Sequence, residues 1–138
     1  MTEPRDQNAP ESPQPRAGEQ AFRDELLRDM SGGESLSLSD IDSIIQYDYR
    51  AEPLPTRQSR VITAIKSLLN DGLIVVGDPG FAGEPVESWQ LPTEETLARL
   101  HERYVTHYDD FSKWGWCTWF ELTPEGERAA AKVKGDTS

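Results

Sequence analysis

The chain has 138 residues, of which 14 are Lys or Arg and 25 are Asp or Glu, so its formal net charge at pH 7 is -11. This length suits one domain with one core, which argues against a multidomain enzyme. The negative charge opposes non-specific binding to polyanions, and the single cysteine, Cys117, excludes an intramolecular disulfide.

The two ends of the chain are predicted to lie outside the folded domain. Residues 1–17 contain four prolines and almost no large apolar side chain, which predicts a disordered Pro-rich tail. Residues 135–138 are expected to fray, so the domain is predicted to span residues 18–134. No apolar run is long enough for a signal peptide or a membrane span, so we expect a cytoplasmic protein with no membrane partner.

The first two helices are predicted within residues 19–47. From Glu19 to Met30 the large apolar residues recur at helical spacing, and Gly32 with Gly33 ends this helix. After a short extended segment around residue 36, Ser39 is the predicted N-cap of a second, shorter helix.

The third helix and the first long strand follow. Prolines on both sides of Leu54 are expected to keep that residue out of helical geometry, so the helix is predicted to begin at Thr56. An apolar stripe runs from Val61 to Leu69, and Gly72 ends the helix. The β-branched run that comes next, residues 73–76, predicts a strand.

The last third of the chain is predicted as loop, helix, strand and helix. Residues 78–92 are rich in Gly and Pro and predict a loop, after which Thr93 is the expected cap of a helix over residues 93–108. A second strand is predicted within residues 114–122. Thr123 and Pro124 then begin the final helix.

This order of elements resembles that of bacterial winged helix-turn-helix repressors. Two segments carry the resemblance: residues 61–78, VITAIKSLLNDGLIVVGD, resemble the third helix and first wing strand, and residues 119–130, WFELTPEGERAA, resemble the second wing strand and the helix after it. The resemblance implies an α+β fold, a winged helix. One departure is that about forty residues separate Val76 from Trp116, so the fold expected is a winged helix with an inserted helix, residues 93–108, between the two wing strands.

Three tryptophans fall within six residues of the segment 113–122, KWGWCTWFEL. In a strand, side chains alternate, so Trp116 and Phe120 share one face and Trp119 lies on the other, where the inserted helix is expected to cover it. The aromatic residues then form core, the seam of a homodimer, or a pocket for a flat or cationic small molecule. The residues concerned are Tyr104, Tyr108, Trp114, Trp116 and Trp119.

No catalytic or metal-binding pattern stands out. His101 and His107 are six residues apart, which is not the spacing at which two imidazoles on one helix bind one metal ion. Cys117 has no histidine beside it in sequence to activate a thiol. We therefore expect no enzyme, no metal site and no cofactor.

The outward face of the third helix lacks carboxylates, which is unusual in so acidic a chain. Small hydroxyl side chains with a few cations suit close approach to the major groove of DNA. The predicted DNA-binding residues are Thr56, Arg57, Ser59, Arg60, Thr63 and Lys66.

The sequence therefore favours a non-catalytic binding module and leaves its partner open. The first hypothesis is a transcriptional regulator that reads double-stranded DNA with the helix 56–71. A homodimer would double its few cations. The second is an acidic winged-helix module that binds a basic protein and no DNA. A weaker third is a small-molecule sensor with an aromatic pocket.

Overall fold

The computed structural model describes residues 17–80 and 84–137, and within these ranges the chain is a mixed α+β fold with a four-stranded antiparallel sheet. Residues 1–16 of the predicted Pro-rich tail lie outside the described residues. The helices are α1 Ala17–Met30, α2 Leu38–Asp48, α3 Leu54–Asn70, α4 Thr93–His101 and α5 Pro124–Thr137. The strands are β1 Ser35–Ser37, β2 Ile74–Asp78, β3 Glu87–Ser88 and β4 Trp119–Leu122.

Two short helical segments lie between α4 and β4. A π-helical turn, Glu102–Thr106, continues α4 directly, and a 3-10 turn, Phe111–Lys113, follows it. The predicted helix over residues 93–108 is thus an α-helix for its first half only. At the other end, α5 extends to Thr137, into the segment 135–138 where we expected fraying.

Three predicted helix starts are wrong. The cap of α2 is Ser37 rather than Ser39, because Ser37 accepts a hydrogen bond from the Asp40 backbone at 3.1 Å and donates its own backbone N–H to the Asp40 carboxylate at 3.0 Å. Helix α3 begins at Leu54, ahead of Thr56, since a proline in the first turn lacks an N–H that the helix leaves unpaired in any case. Thr93 is the first residue of α4, preceded by Pro92 as cap.

Strand β4 lies inside the sheet, whose order is β1-β4-β2-β3. It pairs with β1 through Leu36 opposite Phe120 and with β2 through Val76 opposite Phe120. Because β4 begins only at Trp119, the predicted strand is wrong for residues 114–118. Trp116 lies in a turn, so the alternation of faces expected for it does not apply.

The core lies between α1, α2, α3 and one face of the sheet. Its fully buried side chains include Leu26, Ile41, Ile45, Ile65, Leu68 and Phe120. Each such side chain contributes roughly 1.5–3 kcal/mol through its removal from water. The predicted start of α5 is confirmed: the Thr123 hydroxyl accepts a hydrogen bond from the Gly126 backbone at 3.0 Å.

Candidate binding surfaces

The exposed face of α3 is a narrow polar strip. It consists of Thr56, Ser59, Thr63 and Lys66, whose spacing of three, four and three residues places them on one side of the helix. Helix α1 packs along one side of α3 and α4 along the other. Four of the six predicted DNA-binding residues therefore lie in this strip, and the two arginines do not.

Arg60 is held by an intramolecular carboxylate. Its Nε and an Nη atom donate to the two carboxylate oxygens of Glu52 at 2.7 and 2.8 Å, a bidentate arrangement. The guanidinium also lies over the ring of Tyr49, 4.3 Å from its centroid. The hydrogen bond from Arg60 lowers the pKa of the Glu52 carboxyl, which stays ionised and compensates the charge of Arg60.

Arg57 is only partly exposed and is engaged by the backbone. Its Nη1 donates to the carbonyl oxygen of Glu52 at 2.6 Å, while its Nε is buried and has no acceptor among the described residues. The positive charge of Arg57 also counteracts the rise in the pKa of Tyr104 and of Tyr108. Of the three cations predicted to contact DNA, Arg60 forms an ion pair, Arg57 is bound by a backbone carbonyl oxygen, and Lys66 makes neither contact within the described residues.

A cation at the border of the strip is also paired with a carboxylate of the chain. Arg23 of α1 donates to the Asp71 carboxylate at 2.9 Å and to the Ser67 hydroxyl at 2.6 Å. A cleft of about 140 Å³ between α1 and α3 is lined partly by Phe22, Arg60 and Ala64, and not by the aromatic residues predicted to form a pocket. The face of α3 is therefore polar and close to neutral, rather than a positive surface.

Three of the five predicted aromatic residues form an interior cluster beneath the inserted segment. The rings of Tyr108 and Trp114 are stacked at 5.0 Å, and Tyr104 meets Trp114 edge to face at 5.2 Å. The Trp114 indole donates to the carbonyl oxygen of Tyr108 at 2.9 Å. Tyr104 and Trp114 are buried. This packing fixes the chain after α4 to the body of the protein.

Asp42 of α2 holds this cluster, and sequence reasoning missed its role. Asp42 is 3% exposed, and its carboxylate accepts hydrogen bonds from Tyr104 at 2.5 Å, Tyr108 at 2.9 Å and Gln46 at 2.6 Å. Burial of its hydroxyl is the largest cause that raises the pKa of Tyr108 to about 12, and the negative charge of Asp42 is the second. The same two causes raise the pKa of Tyr104. The sequence did contain a signal for this buried acid: Asp42 follows Ile41 and shares the apolar face of α2 with it.

A second attachment is made by Arg99 of α4 and Arg103 of the π-helical turn. The ring of Trp89 is covered by the guanidinium groups of Arg99 and Arg103, 4.6 and 5.0 Å from its centroid, and Arg103 also donates to the Thr118 hydroxyl at 3.1 Å. Trp114 and Trp89 thus attach the inserted segment, and the Trp119 indole donates to the backbone oxygen of Trp116 at 2.7 Å. The expected cover of Trp119 by the inserted helix stays a prediction.

Two aromatic side chains of the same segment face solvent. Trp116 is 57% exposed and Phe111 is 43% exposed, and their rings meet edge to face at 5.9 Å. We call this pair the aromatic platform. Gly115 lies between them in sequence, and a Cβ atom at that position would overlap the Phe111 ring. The platform thus depends on a glycine at residue 115.

His107 and Cys117, which the sequence raised as candidates for metal binding or catalysis, contact different neighbours. The His107 ring lies 2.7 Å from the Glu102 carboxylate, and the Cys117 sulfur lies 3.6 Å from the backbone oxygen of Ser112. Within residues 17–80 and 84–137 no group of three His, Cys, Asp or Glu side chains is arranged to bind a metal ion. In the same ranges no helix has the length and apolar character needed to cross a bilayer.

Comparison with known proteins adds no relative: no protein family, curated protein or solved structure matches the chain.

Proposed function

We propose that this chain is a non-catalytic winged-helix module that binds a basic protein. The winged-helix assignment is supported by the chain order α1, β1, α2, α3, β2, β4, α5, with β4 paired between β1 and β2. This is the order that the sequence resemblance implied, with α4 inserted between the two wing strands. Helix α3 then occupies the position of a recognition helix, which makes its exposed face informative about the partner.

The ion pair between Arg60 and Glu52 is the observation that favours a protein partner over DNA. A DNA-binding helix gains affinity when its cations neutralise phosphates and release counterions. Arg60 is already neutralised by Glu52 and stacked on Tyr49, so a phosphate would have to displace a bidentate carboxylate. Lys66 then remains as the main cation of the face. The net charge of -11, by contrast, attracts a basic protein and speeds its encounter with this chain.

DNA binding is a second candidate because the exposed strip itself carries no carboxylate. Thr56, Ser59 and Thr63 are small hydroxyl residues that permit close approach of the helix to a groove, with Lys66 at the end of the strip. On this alternative, Arg60 exchanges Glu52 for a phosphate when DNA arrives.

Two labelled probes separate the candidates in one fluorescence anisotropy assay. The first is a mixed-sequence DNA duplex, and the second is a peptide of alternating Arg and Gly; each is titrated with protein at about 50 and about 150 mM salt, because electrostatic binding weakens with salt. We expect the peptide to bind at both salt concentrations and the duplex to show no binding at micromolar protein. Duplex binding that weakens with salt and is abolished by Arg60→Glu, without peptide binding, would establish the DNA candidate instead.

A further inference from the structure

Aromatic faces on this protein differ in whether a cation already occupies them. The guanidinium of Arg50 lies 5.5 Å from the Tyr47 ring centroid, that of Arg60 covers Tyr49, and Trp89 is covered twice. Among the described residues, no such cation lies over Phe111 or Trp116. Trp is the aromatic side chain that binds cations best, so an uncovered, exposed indole is a vacant cation-binding surface.

The platform is held in place before any partner arrives. The backbone N–H groups of Trp114 and Gly115 donate to the Phe111 carbonyl at 3.1 and 2.8 Å, which closes the turn beneath the two rings. The Gly115 carbonyl in turn accepts from the backbone of Ser39, in the first turn of α2, at 3.1 Å. A preorganised turn loses little conformational entropy on binding, so contacts to its rings are not offset by a large ordering cost.

Charge beside the platform favours a cationic occupant. Within residues 109–116, Asp109 and Asp110 are exposed acids and Lys113 is the one exposed cation. A second copy of this chain is a poor occupant, because two chains of charge -11 repel each other. An Arg side chain satisfies both features, since its guanidinium stacks on indole and pairs with carboxylate.

We infer that the aromatic platform, Phe111 and Trp116 with Asp109 and Asp110, is the docking surface for an arginine-bearing segment of a basic protein partner. This inference rests on the proposed function and adds to it the surface and the side-chain chemistry of the partner. Tryptophan is enriched among the hot-spot residues that carry most of the binding energy of protein interfaces. We assign Trp116 the role of such a hot spot.

The test compares Trp116→Ala with Tyr47→Ala in the Arg-Gly peptide titration. Tyr47 is a matched control because it is 73% exposed, lies on α2 and already faces Arg50. Trp116→Ala keeps the backbone oxygen that accepts from Trp119, so the fold is expected to persist, and circular dichroism checks this. We expect the Trp116 variant to bind the peptide roughly fivefold to tenfold more weakly and the Tyr47 variant to match the unaltered protein. Trp116→Phe retains a ring and is expected to fall between them.

Three other results of these experiments would each contradict a different part of the proposal. If the peptide binds the unaltered protein and Trp116→Ala equally well, the platform is not the docking surface although the basic-partner function stands. If the peptide does not bind even at low salt, the proposed function fails together with the inference. If sedimentation shows that the unaltered protein is a dimer and that Trp116→Ala is a monomer, the occupant of the platform is a second copy of this chain.

Discussion

Two surfaces of this protein carry groups that suit binding, the face of α3 and the segment 109–119, and they differ in how far the chain itself satisfies those groups. On α3 the charge of Arg60 is matched by Glu52, and at its border that of Arg23 is matched by Asp71. On the segment 109–119 the rings of Phe111 and Trp116 contact each other and face solvent.

The difference matters because the binding free energy is what remains after the intramolecular contacts that binding breaks have been subtracted. A phosphate at Arg60 replaces a bidentate carboxylate and gains little, whereas a guanidinium at Trp116 displaces water alone. Residue type marks both surfaces as binding candidates. The intramolecular partners decide between them, and in this molecule they favour the aromatic platform.

The largest effect is expected from Asp42, whose carboxylate anchors the segment that bears the platform. Asp42→Ala leaves the hydroxyls of Tyr104 and Tyr108 without their acceptor, and we expect the free energy of unfolding to fall by about 3–4 kcal/mol. Tyr108→Phe removes only one of these hydrogen bonds and should cost about 1–2 kcal/mol. Urea denaturation measures both changes. The exposed Asp110, replaced by Ala, serves as a control and should change stability by less than about 0.5 kcal/mol.

A loss of less than about 1 kcal/mol in Asp42→Ala would show that the aromatic packing holds the inserted segment without its buried carboxylate. In that case the Asp42 carboxylate would not be needed to hold the segment that bears the platform.

A smaller effect is expected when the charge of Glu52 is removed. Glu52→Gln keeps the shape of the side chain but releases the charge of Arg60. We therefore expect the weak affinity for duplex DNA, measured at about 50 mM salt and at protein concentrations above the micromolar range, to rise roughly fivefold. Glu94→Gln, in the exposed first turn of α4, changes the net charge equally and is the matched control. Equal DNA affinities for the two variants would mean that Glu52 does not restrain Arg60 in solution.

The smallest expected effect is a change of folding stability with pH, caused by a residue that belongs to neither candidate surface. Burial, together with a hydrogen bond and charge repulsion from Asp48, raises the pKa of Glu25 from 4.5 to about 7. The folded state therefore holds this proton more tightly than the unfolded state. The resulting stabilisation is full below pH 4.5 and is lost as pH rises through about 7.

Thermal unfolding at pH 5.5 and at pH 8 tests this, at pH values chosen to lie on either side of the raised pKa of about 7. Because Glu25 is partly exposed, solvent screening reduces the expected difference to roughly 1 kcal/mol. Glu25→Gln should flatten this pH dependence. An unchanged pH dependence in that variant would assign it to other groups, of which Asp29, with its own raised pKa, is the first to examine.

The helices and the sheet were largely predictable because they depend on local periodicity. The apolar stripe of Val61, Ile65 and Leu68 predicted the buried side of α3, and Thr123 predicted the start of α5. Helix starts were less certain where two candidate caps lay close together. Ser37 with Asp40 three residues later was the pattern to prefer over Ser39, since both members of that pair find partners.

The candidate sites depended on side-chain pairing and a turn that helix or strand periodicity does not predict. Arg60 pairs with Glu52, which lies just before the Pro53 cap of α3, and α3 begins at Leu54, two residues earlier than expected. The different fates of Trp114 and Trp116 follow from a turn at Gly115, where we predicted a continuous strand. Residue types thus indicated what kinds of surface to expect, but not which side chains are already satisfied.

The most direct test is a ¹H–¹⁵N correlation NMR spectrum of the full chain, recorded as the Arg-Gly peptide is added. Our account predicts that the indole N–H of Trp116 and the backbone signals of residues 109–119 shift, while those of residues 56–70 on α3 stay in place. Shifts confined to α3, with the Trp116 signal unmoved, would contradict it and would return the binding surface to the third helix.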